Sequence, residues 1–413
     1  MVKPGYKQTE IGVIPEDWEE KKLGELAKVC MCKRIFADQT VENGEIPFFK
    51  IGTFGKEADA YISRSLYEDF KQRFSYPQKG DVLISAAGTL GRSVIFDGKD
   101  AYFQDSNIVW LDTDKARLCN EYLYHYYKVI QWASSEGSTI ARLYNGIICN
   151  THIALPKVEE QKRIAAVLSE MDRLILTLEK QISKKKAIKQ GAMQELLTGK
   201  RRLPGFEGAW KTKKLGEYCS LVTKQTGFDY SAYIKPVLIT QKMPNTLPMI
   251  QTINFRGRKF SFDTDYYIPK TVALQFPNIV LNEKCVLFSI VGASVGNVGL
   301  YPGGTTAFCG GAIGITRFHD EQDAAWIYYY MSSPDGQAQI HYVTKGGAQA
   351  TVTIADIRNF KIPTPEKDER DAISSVLENM DHEIEVLEEK LAKYRQVKQG
   401  MMQQLLTGKV RLV

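Results

Sequence analysis

Nowhere does this sequence hold the run of roughly 18 to 20 uninterrupted apolar residues that a membrane-spanning helix needs. Its opening, Met1-Val2-Lys3-Pro4-Gly5-Tyr6, lacks the apolar core of a secretory signal. A cytoplasmic location with no membrane partner is therefore expected. Histidine is scarce, with five in 413 residues. None stands in a His-Glu-x-x-His helix or beside a Cys-x-x-Cys pair, the spacings that aim several ligand atoms at one ion, so no metal site is expected. The seven cysteines, at 30, 32, 119, 149, 219, 285 and 309, are odd in number and follow no export signal, which favours reduced thiols over a disulfide framework. Cys30-Met31-Cys32 has the wrong spacing for a zinc knuckle. No Gly-Lys pair leads into Ser or Thr, because Lys56, Lys99, Lys200 and Lys409 are followed by Glu57, Asp100, Arg201 and Val410. That excludes the phosphate-binding loop of nucleotide hydrolases. No cofactor is expected on this chain.

What is present is a normal globular composition, 44% hydrophobic and 25% charged, in a chain long enough for two or three cores. The net charge of +6 permits a nucleic-acid partner without establishing one. The informative feature is self-similarity. Trp18 and Lys21-Lys22-Leu23-Gly24-Glu25 return as Trp210 and Lys213-Lys214-Leu215-Gly216-Glu217, 192 residues later. Val82-Leu83-Ile84-Ser85 returns as Val286-Leu287-Phe288-Ser289, 204 later, and the aromatic residues 122–127 match 326–331 at the same offset. Pro156, Ile164, Val167-Leu168 and Met171-Asp172 return as Pro365, Ile373, Val376-Leu377 and Met380-Asp381 at 209. Leu196-Leu197-Thr198-Gly199-Lys200 returns as Leu405-Leu406-Thr407-Gly408-Lys409, again at 209. An offset that grows and then holds describes two heads of different length on two necks of equal length. The period is far too long for a solenoid of short repeats.

The necks carry a coiled-coil pattern. Residues 158–197 place Ile164, Leu168, Met171, Ile175, Leu178 and Ile182 at alternating steps of four and three, and the second neck does so with Ile373, Leu377, Met380, Ile384, Leu387, Leu391 and Tyr394. Acidic residues crowd both starts, Pro365 suits a first helical turn, and Gly199 and Gly408 stand just past the ends. Forty helical residues make a rod of roughly 60 Å. A narrow apolar stripe needs a partner, and the nearest is the other neck. Charge agrees: residues 159–202 hold 11 basic and 6 acidic residues, residues 365–413 hold 8 and 10. The expected interface residues are Leu168, Met171, Ile175, Leu178 and Ile182 with Leu377, Met380, Ile384, Leu387 and Leu391. An antiparallel pair would set one head at each end, related by a pseudo-twofold axis. The chain also reads as nearly circular, since Lys409-Val410-Arg411-Leu412 repeats the segment that leads from the first neck towards Trp210, and Trp18 can supply the continuation.

Each head mixes β-type runs, at 82–85, 108–111 and 286–290, with a helical aromatic stretch, so a mixed α/β (α+β) domain is expected. The boundaries read as 1–157 for the first head, 158–198 for its helix, 199–364 for the second head and 365–408 for its helix. A glycine-rich loop follows each matched strand, Ala86-Ala87-Gly88-Thr89-Leu90-Gly91-Arg92 and Val291-Gly292-Ala293-Ser294-Val295-Gly296-Asn297. Such a loop either brings backbone near a phosphate or simply turns the chain between strands. Basic and amide side chains in loops are the candidate DNA contacts: Arg92, Arg142 and Asn145 in the first head, Arg256, Arg258, Lys259, Asn297 and Lys345 in the second. The tyrosines at 122–127 and 328–330 fit core packing better than base stacking.

Taken together, Trp18 with Leu23-Gly24-Glu25, Gly80-Asp81-Val82-Leu83, Pro156 leading into Glu160-Gln161-Lys162-Arg163-Ile164, and the closing Leu-Leu-Thr-Gly-Lys resemble the specificity subunits of type I restriction-modification systems over essentially the whole chain. The second copy departs at Glu283-Lys284-Cys285 and at Glu369-Arg370. The resemblance implies two target-recognition domains that read the halves of a bipartite site in double-stranded DNA, with the helices fixing the spacer. It also implies docking of two modification (methyltransferase) subunits, joined by restriction/translocase subunits. S-adenosylmethionine, ATP and magnesium are then expected on those partners, and no catalytic residue here. The sequence has no Asn-Pro-Pro-Tyr or Asp-Pro-Pro-Tyr adenine-methyltransferase motif. Three other readings stay open: the specificity subunit of a related type II enzyme, a coiled-coil protein adaptor and, last because it explains neither the duplication nor the rods, a nucleotide-dependent enzyme using the two glycine loops.

Overall fold

The structure is a computed structural model and describes residues 3–132, 142–255, 260–344 and 350–412. It divides into two compact units, residues 1–179 with 390–413, and residues 180–389.

In the first unit the order is β1 (Tyr6–Thr9), β2 (Gly12–Pro15), β3 (Glu19–Lys22), β4 (Ala27–Met31), β5 (Ile46–Phe49), β6 (Tyr61–Ile62), α1 (Arg64–Arg73), β7 (Val82–Ser85), β8 (Ser93–Ile95), β9 (Tyr102–Phe103), β10 (Ile108–Thr113), α2 (Asn120–Tyr127), α3 (Asn145–Asn150), β11 (His152–Leu155) and α4 (Val158–Leu196). The last of these runs on into the second unit. Strands β4-β10-β7-β8 form one antiparallel sheet. Strands β6-β5-β9 form another, in which β5 and β9 are parallel. Strand β7 is buried at every position, and its alternation explains how. Val82 and Ile84, with Val109 and Leu111 of β10, face a core shared with α2 and the long helices. Leu83, with Ile108 and Trp110, faces a second core built on Ile46, Phe48, Phe54 and Tyr102. Successive strand residues point to opposite faces, so a continuous apolar run is what a strand between two cores requires.

The second unit repeats the plan with β12 (Lys211–Lys214), β13 (Cys219–Lys224), α5 (Tyr230–Tyr233), β14 (Thr246–Ile250), β15 (Tyr267–Pro269), α6 (Lys270–Ala273), β16 (Val280–Leu281), β17 (Cys285–Ser289), β18 (Val298–Tyr301), β19 (Ala307–Cys309), β20 (Ile313–Phe318), α7 (Asp323–Ser332), α8 (Pro334–Val343), α9 (Ile354–Asn359), β21 (Lys361–Thr364) and α10 (Lys367–Leu405). Sheet β13-β20-β17-β18 matches the first antiparallel sheet, and β15-β14-β19-β16 contains the matching parallel pair, β14 with β19. Val286 and Phe288 face one core and Cys285 and Leu287 the other. The Leu-Gly-Glu element is a single 3-10 turn in both units. Its Glu accepts the backbone N–H of the preceding Lys, Glu25 from Lys22 at 3.0 Å and Glu217 from Lys214 at 2.7 Å. Gly24 is required because a Cβ there would lie 2.9 Å from the Cβ of Cys149.

Both long helices end in glycines with left-handed φ, +70° at Gly199 and +69° at Gly408. Helix α10 begins at Lys367, not in the turn of Pro365, because the Glu366 carbonyl is the first to accept a helical N–H, from Arg370 at 3.1 Å. Among the described residues no helix is long and apolar enough to cross a membrane.

Candidate nucleic-acid interface and the helical seam

In the first unit four loop segments meet beside the ends of the parallel strands. The glycine loop is a hairpin turn from β7 to β8, closed by Ser85: its N–H donates to the Arg92 carbonyl and its Oγ accepts from Arg92 N, both at 2.9 Å. Gly88 and Gly91 hold φ of +66° and +73° there. Ala86 donates to Asn107 O and accepts from Leu143 N, which ties the hairpin to the β9–β10 loop and to the segment entering α3. Arg142 donates Nη2 to the Ser106 carbonyl at 3.1 Å and hydroxyl at 2.8 Å, and Arg92 donates Nη1 to the Phe54 carbonyl at 3.0 Å. Ser106 itself has φ of +49°, a costly conformation for a residue with a Cβ. The two arginines therefore brace the loops through backbone contacts, and Asn145, exposed at the first residue of α3, lies on the same loop cluster.

The second unit builds the same closure with different side chains. Ser289 N donates to the Asn297 carbonyl at 2.8 Å, so half-buried Asn297 occupies the position of Arg92. Ser294 Oγ then reaches Thr252 Oγ1 at 3.2 Å in the loop after β14. Beside it lies an open cavity of about 410 Å³ lined by Tyr230, Gln251, Thr252, Asp265 and the Gly310-Gly311 turn. Arg256, Arg258, Lys259 and Lys345 lie outside the described residues. Asn254 staples the ends of the segment that carries the first three: its Nδ2 donates to Ser261 O at 2.9 Å and Asp263 O at 2.6 Å. Ser106, Gln104, whose Oε1 accepts from Ile51 N at 2.9 Å, Gln251 and Thr252 carry no charge that would mark them in the sequence, and they join the candidate loop clusters only where the sheets bring their loops together.

The aromatic stretches are core. Tyr122, Tyr126 and Tyr127 are buried, and so are Tyr328, Tyr329 and Tyr330. Tyr122 donates to Ala154 O at 2.8 Å, while Trp326 donates to Pro363 O at 3.0 Å from the equivalent site. Burial pushes the Tyr122 and Tyr127 hydroxyls well above their ordinary range. Among the described residues one trio brings metal-ligand atoms within 4.8 Å, Glu10, Glu20 and His152. Both ring nitrogens of His152 already face carboxylates, Glu20 at 2.8 Å and Glu10 at 3.4 Å, which ties the β1–β2 hairpin to the β3–β11 ribbon.

Within each unit α4 and α10 run antiparallel. In the first, Asp172 meets Lys398 and Glu179 meets Arg395 at 2.7 Å, so partners on α10 retreat as α4 advances. In the second, Lys185 meets Glu383 at 2.6 Å, Lys186 meets Glu388 at 2.8 Å and Lys189 meets Asp381. Leu168, Leu178, Ile182, Leu377, Ile384 and Leu391 are buried, and Met171, Ile175, Met380 and Leu387 half-buried. The helix ends are clasped twice in one way. Glu369, 1% exposed, accepts Trp210 Nε1 at 3.0 Å and two nitrogens of Arg202 at 2.5 and 2.7 Å. Glu160, 5% exposed, accepts Trp18 Nε1 at 3.1 Å and two nitrogens of Arg411 at 2.7 and 2.8 Å. The C-terminal segment thus does for Trp18 what the chain after the first long helix does for Trp210, the closure expected of a nearly circular repeat.

A family model described as the type I restriction modification DNA specificity domain matches residues 15–189 and again 208–394. The chain belongs to this family. A Haemophilus influenzae protein assigned to the type I restriction enzyme specificity subunits is 54% identical over 153 residues, 37% of this chain and 40% of that relative. The type I restriction enzyme MjaVIII specificity subunit of Methanocaldococcus jannaschii is 25% identical and is aligned over 97% of this chain and 94% of its own. Among solved structures, the S subunit of a type I restriction-modification system from M. genitalium has the same fold, with a TM-score of 0.63 at 13% identity over 98% of each chain. A chain from a structure of type I restriction-modification complex assembly and conformational transition reaches 0.53 at 17% identity, over 96% of this chain and 99% of that one.

Proposed function

We propose that this specificity subunit reads a split sequence in double-stranded DNA, one half with each head, and does no bond chemistry itself. The duplicated loop cluster carries the reading: both heads present a serine-closed glycine hairpin, the loop after a parallel strand, and the loop opposite it, with different side chains on the same frame. Constant framework with variable side chains is what two readers of different half-sites require, because base edges are distinguished by donor and acceptor pattern. Phosphate contacts from Lys and Arg position the reader without sequence preference. The paired helices hold the heads at a set spacing and offer their outer faces to two modification subunits, which carry S-adenosylmethionine and methylate adenine; restriction/translocase subunits using ATP and magnesium join them in the cytoplasm.

The test is to co-express the chain with the type I modification subunit of its own genomic neighbourhood and map methylated adenines by single-molecule sequencing. Methylation at one split motif, with exchange of residues 23–155 altering one half only, is the expected result. A partner bound in soluble complex with no methylated motif overturns the recognition role, and failure of any partner to bind brings the protein-adaptor reading forward.

A further inference from the structure

The seams of the two units each contain a lysine–aspartate pair whose lysine is largely withdrawn from solvent and whose aspartate is partly so, 35% exposed at Asp172 and 23% at Asp381, and the two pairs are equivalent by the repeat. Asp172 of α4 meets Lys398 of α10 in the first unit; Asp381 of α10 meets Lys189 of α4 in the second, with both residues displaced by 209. The lysine side chains are 13% and 9% exposed, against 47% and 48% for the outer-face Lys185 and Lys186. An apolar seam has no need of these charges, and burying them is costly unless geometry is well satisfied. What sets them apart is a third partner from the head. Lys128, which caps α2, reaches Asp172 Oδ2 at 3.2 Å, and Tyr329 of α7 donates its hydroxyl to Asp381 Oδ2 at 2.9 Å. His125, the counterpart of Tyr329 in the repeat, lies 3.9 Å from Asp172 and is bonded to Ser169 at 2.9 Å. Burial pushes its imidazole down to about 4, so at neutral pH it adds no charge to the junction. Burial pushes the Asp172 carboxyl up, but the Lys398 bond and the charges of Lys128 and Lys398 outweigh it and hold the group below its ordinary range.

We propose that Asp172 and Asp381 are positioning residues that lock each head at a fixed angle on the paired helices, and so set how strictly the spacer between the two half-sites is measured. This rests on the bipartite reading above. A carboxylate that ties two long helices to one head helix couples the register of the seam to the seating of the reader. Hydrophobic contacts alone tolerate small slides and rotations, whereas directional charge-assisted bonds do not. Neither aspartate lies in the loop clusters, so the bases read should not depend on them.

The experiment uses the full chain with its modification subunit and maps methylated adenines for wild type, Asp172→Ala, Lys128→Met, and the exchanged pair Asp172→Lys with Lys398→Asp. Wild type is expected to methylate one motif at one spacer length. Asp172→Ala and Lys128→Met should keep both half-sites and lose about tenfold in discrimination against spacers one base pair longer or shorter, the change that 1.4 kcal/mol produces. The exchanged pair restores the tie between the helices but sets two ammonium groups against each other where Lys128 now meets the carboxylate, so it should not recover that strictness; recovery would show that the helix pair alone measures the spacer and overturn the role of the head contact. If Asp172→Ala yields no soluble complex, Lys128→Met decides, because it leaves Lys398 on Asp172. Unchanged spacer discrimination in Lys128→Met, or altered half-site bases, overturns the proposal. Absence of any split motif in the wild type overturns the bipartite reading instead, and is visible before any variant is scored.

Discussion

Replacing Arg411 by Met isolates what the C-terminal segment contributes to the first unit. The Met side chain keeps apolar bulk over the Trp18 ring, where the guanidinium now lies 5.5 Å from the centroid, and removes the charge. Two ion pairs are lost. The one with Asp17, whose side chain is 53% exposed, is worth at most about 1 kcal/mol. The one with Glu160, 6% exposed in its side chain, leaves a buried carboxylate with Trp18 Nε1 at 3.1 Å and Leu412 N at 3.4 Å. Orphaning a fully buried charge costs about 3–5 kcal/mol, and those remaining donors reduce it, so about 3 kcal/mol is expected in all. That is roughly 6–12 °C in Tm for a unit of this size. The Arg411 hydrogen bond holds Asp17 below the ordinary carboxylate range. Burial pushes Glu160 up, but bonds from Arg411 and Trp18 bring it below that range as well. A depressed carboxyl contributes fully above its unfolded value, about 4 to 4.5, and the contribution fades as pH falls through the folded value. The gap between wild type and variant should thus be level from about pH 7 to 5 and shrink below about 4. Hydrogen exchange around Trp18, with the intact Trp210 clasp as internal control, reads it unit by unit. A gap under about 0.5 kcal/mol at pH 7, or one that widens in acid, would refute the clasp.

Gly91→Ala places a methyl at φ of +73° against the Trp132 indole and should destabilise the first hairpin by about 1–3 kcal/mol, altering recognition of one half-site only; methylation mapping checks it. Tyr122→Phe removes a buried bond to Ala154 O and should cost about 1 kcal/mol in chemical unfolding with DNA affinity unchanged, so a loss of binding would reinstate a stacking role. Joint Lys185→Gln and Lys186→Gln should change stability by less than about 1 kcal/mol, and less again at high salt, because both pairs are about half exposed.

The long helices and their partnership were legible because a two-helix seam repeats its apolar positions every three or four residues, and no other local structure does. Repeat offsets located β7, β17, α2 and α7 for a related reason: a strand between two cores and a helix beneath it tolerate few substitutions of size, so both copies keep their pattern. The loops obey no such constraint. Charge alone marks Arg92 and Arg142 in the sequence, and nothing local announces that each also donates to a loop carbonyl, of Phe54 and of Ser106. Thr252 joins the face only because β14 runs parallel to β19 and delivers its loop beside Ser294, a pairing of distant segments that no local pattern announces.

The two places where the second copy breaks the family pattern turn out to be exchanges of whole interactions. In the first unit Asp81 accepts Asn120 Nδ2 at 3.2 Å and Gln78 N at 2.7 Å. The equivalents in the second unit, Cys285 and Ala324, are both fully buried and need no polar partner. Gln161 bonds Cys119 N and two carbonyls, those of Arg117 and Pro156. Its equivalent Arg370 keeps the carbonyl at Pro365 and pairs instead with Asp323, which stands where Cys119 stood. Replacing one member alone would strand a buried donor, acceptor or charge at a cost of about 1–3 kcal/mol or more, whereas exchanging both is nearly neutral. A motif read one residue at a time therefore shows a defect where the structure has an intact junction. The same reasoning predicts that Arg370→Gln destabilises the second unit, by orphaning Asp323, and that Arg370→Gln with Asp323→Cys recovers most of the loss in hydrogen exchange of α7. Equal stability of the single and double variants would show that the junction is not held as a pair.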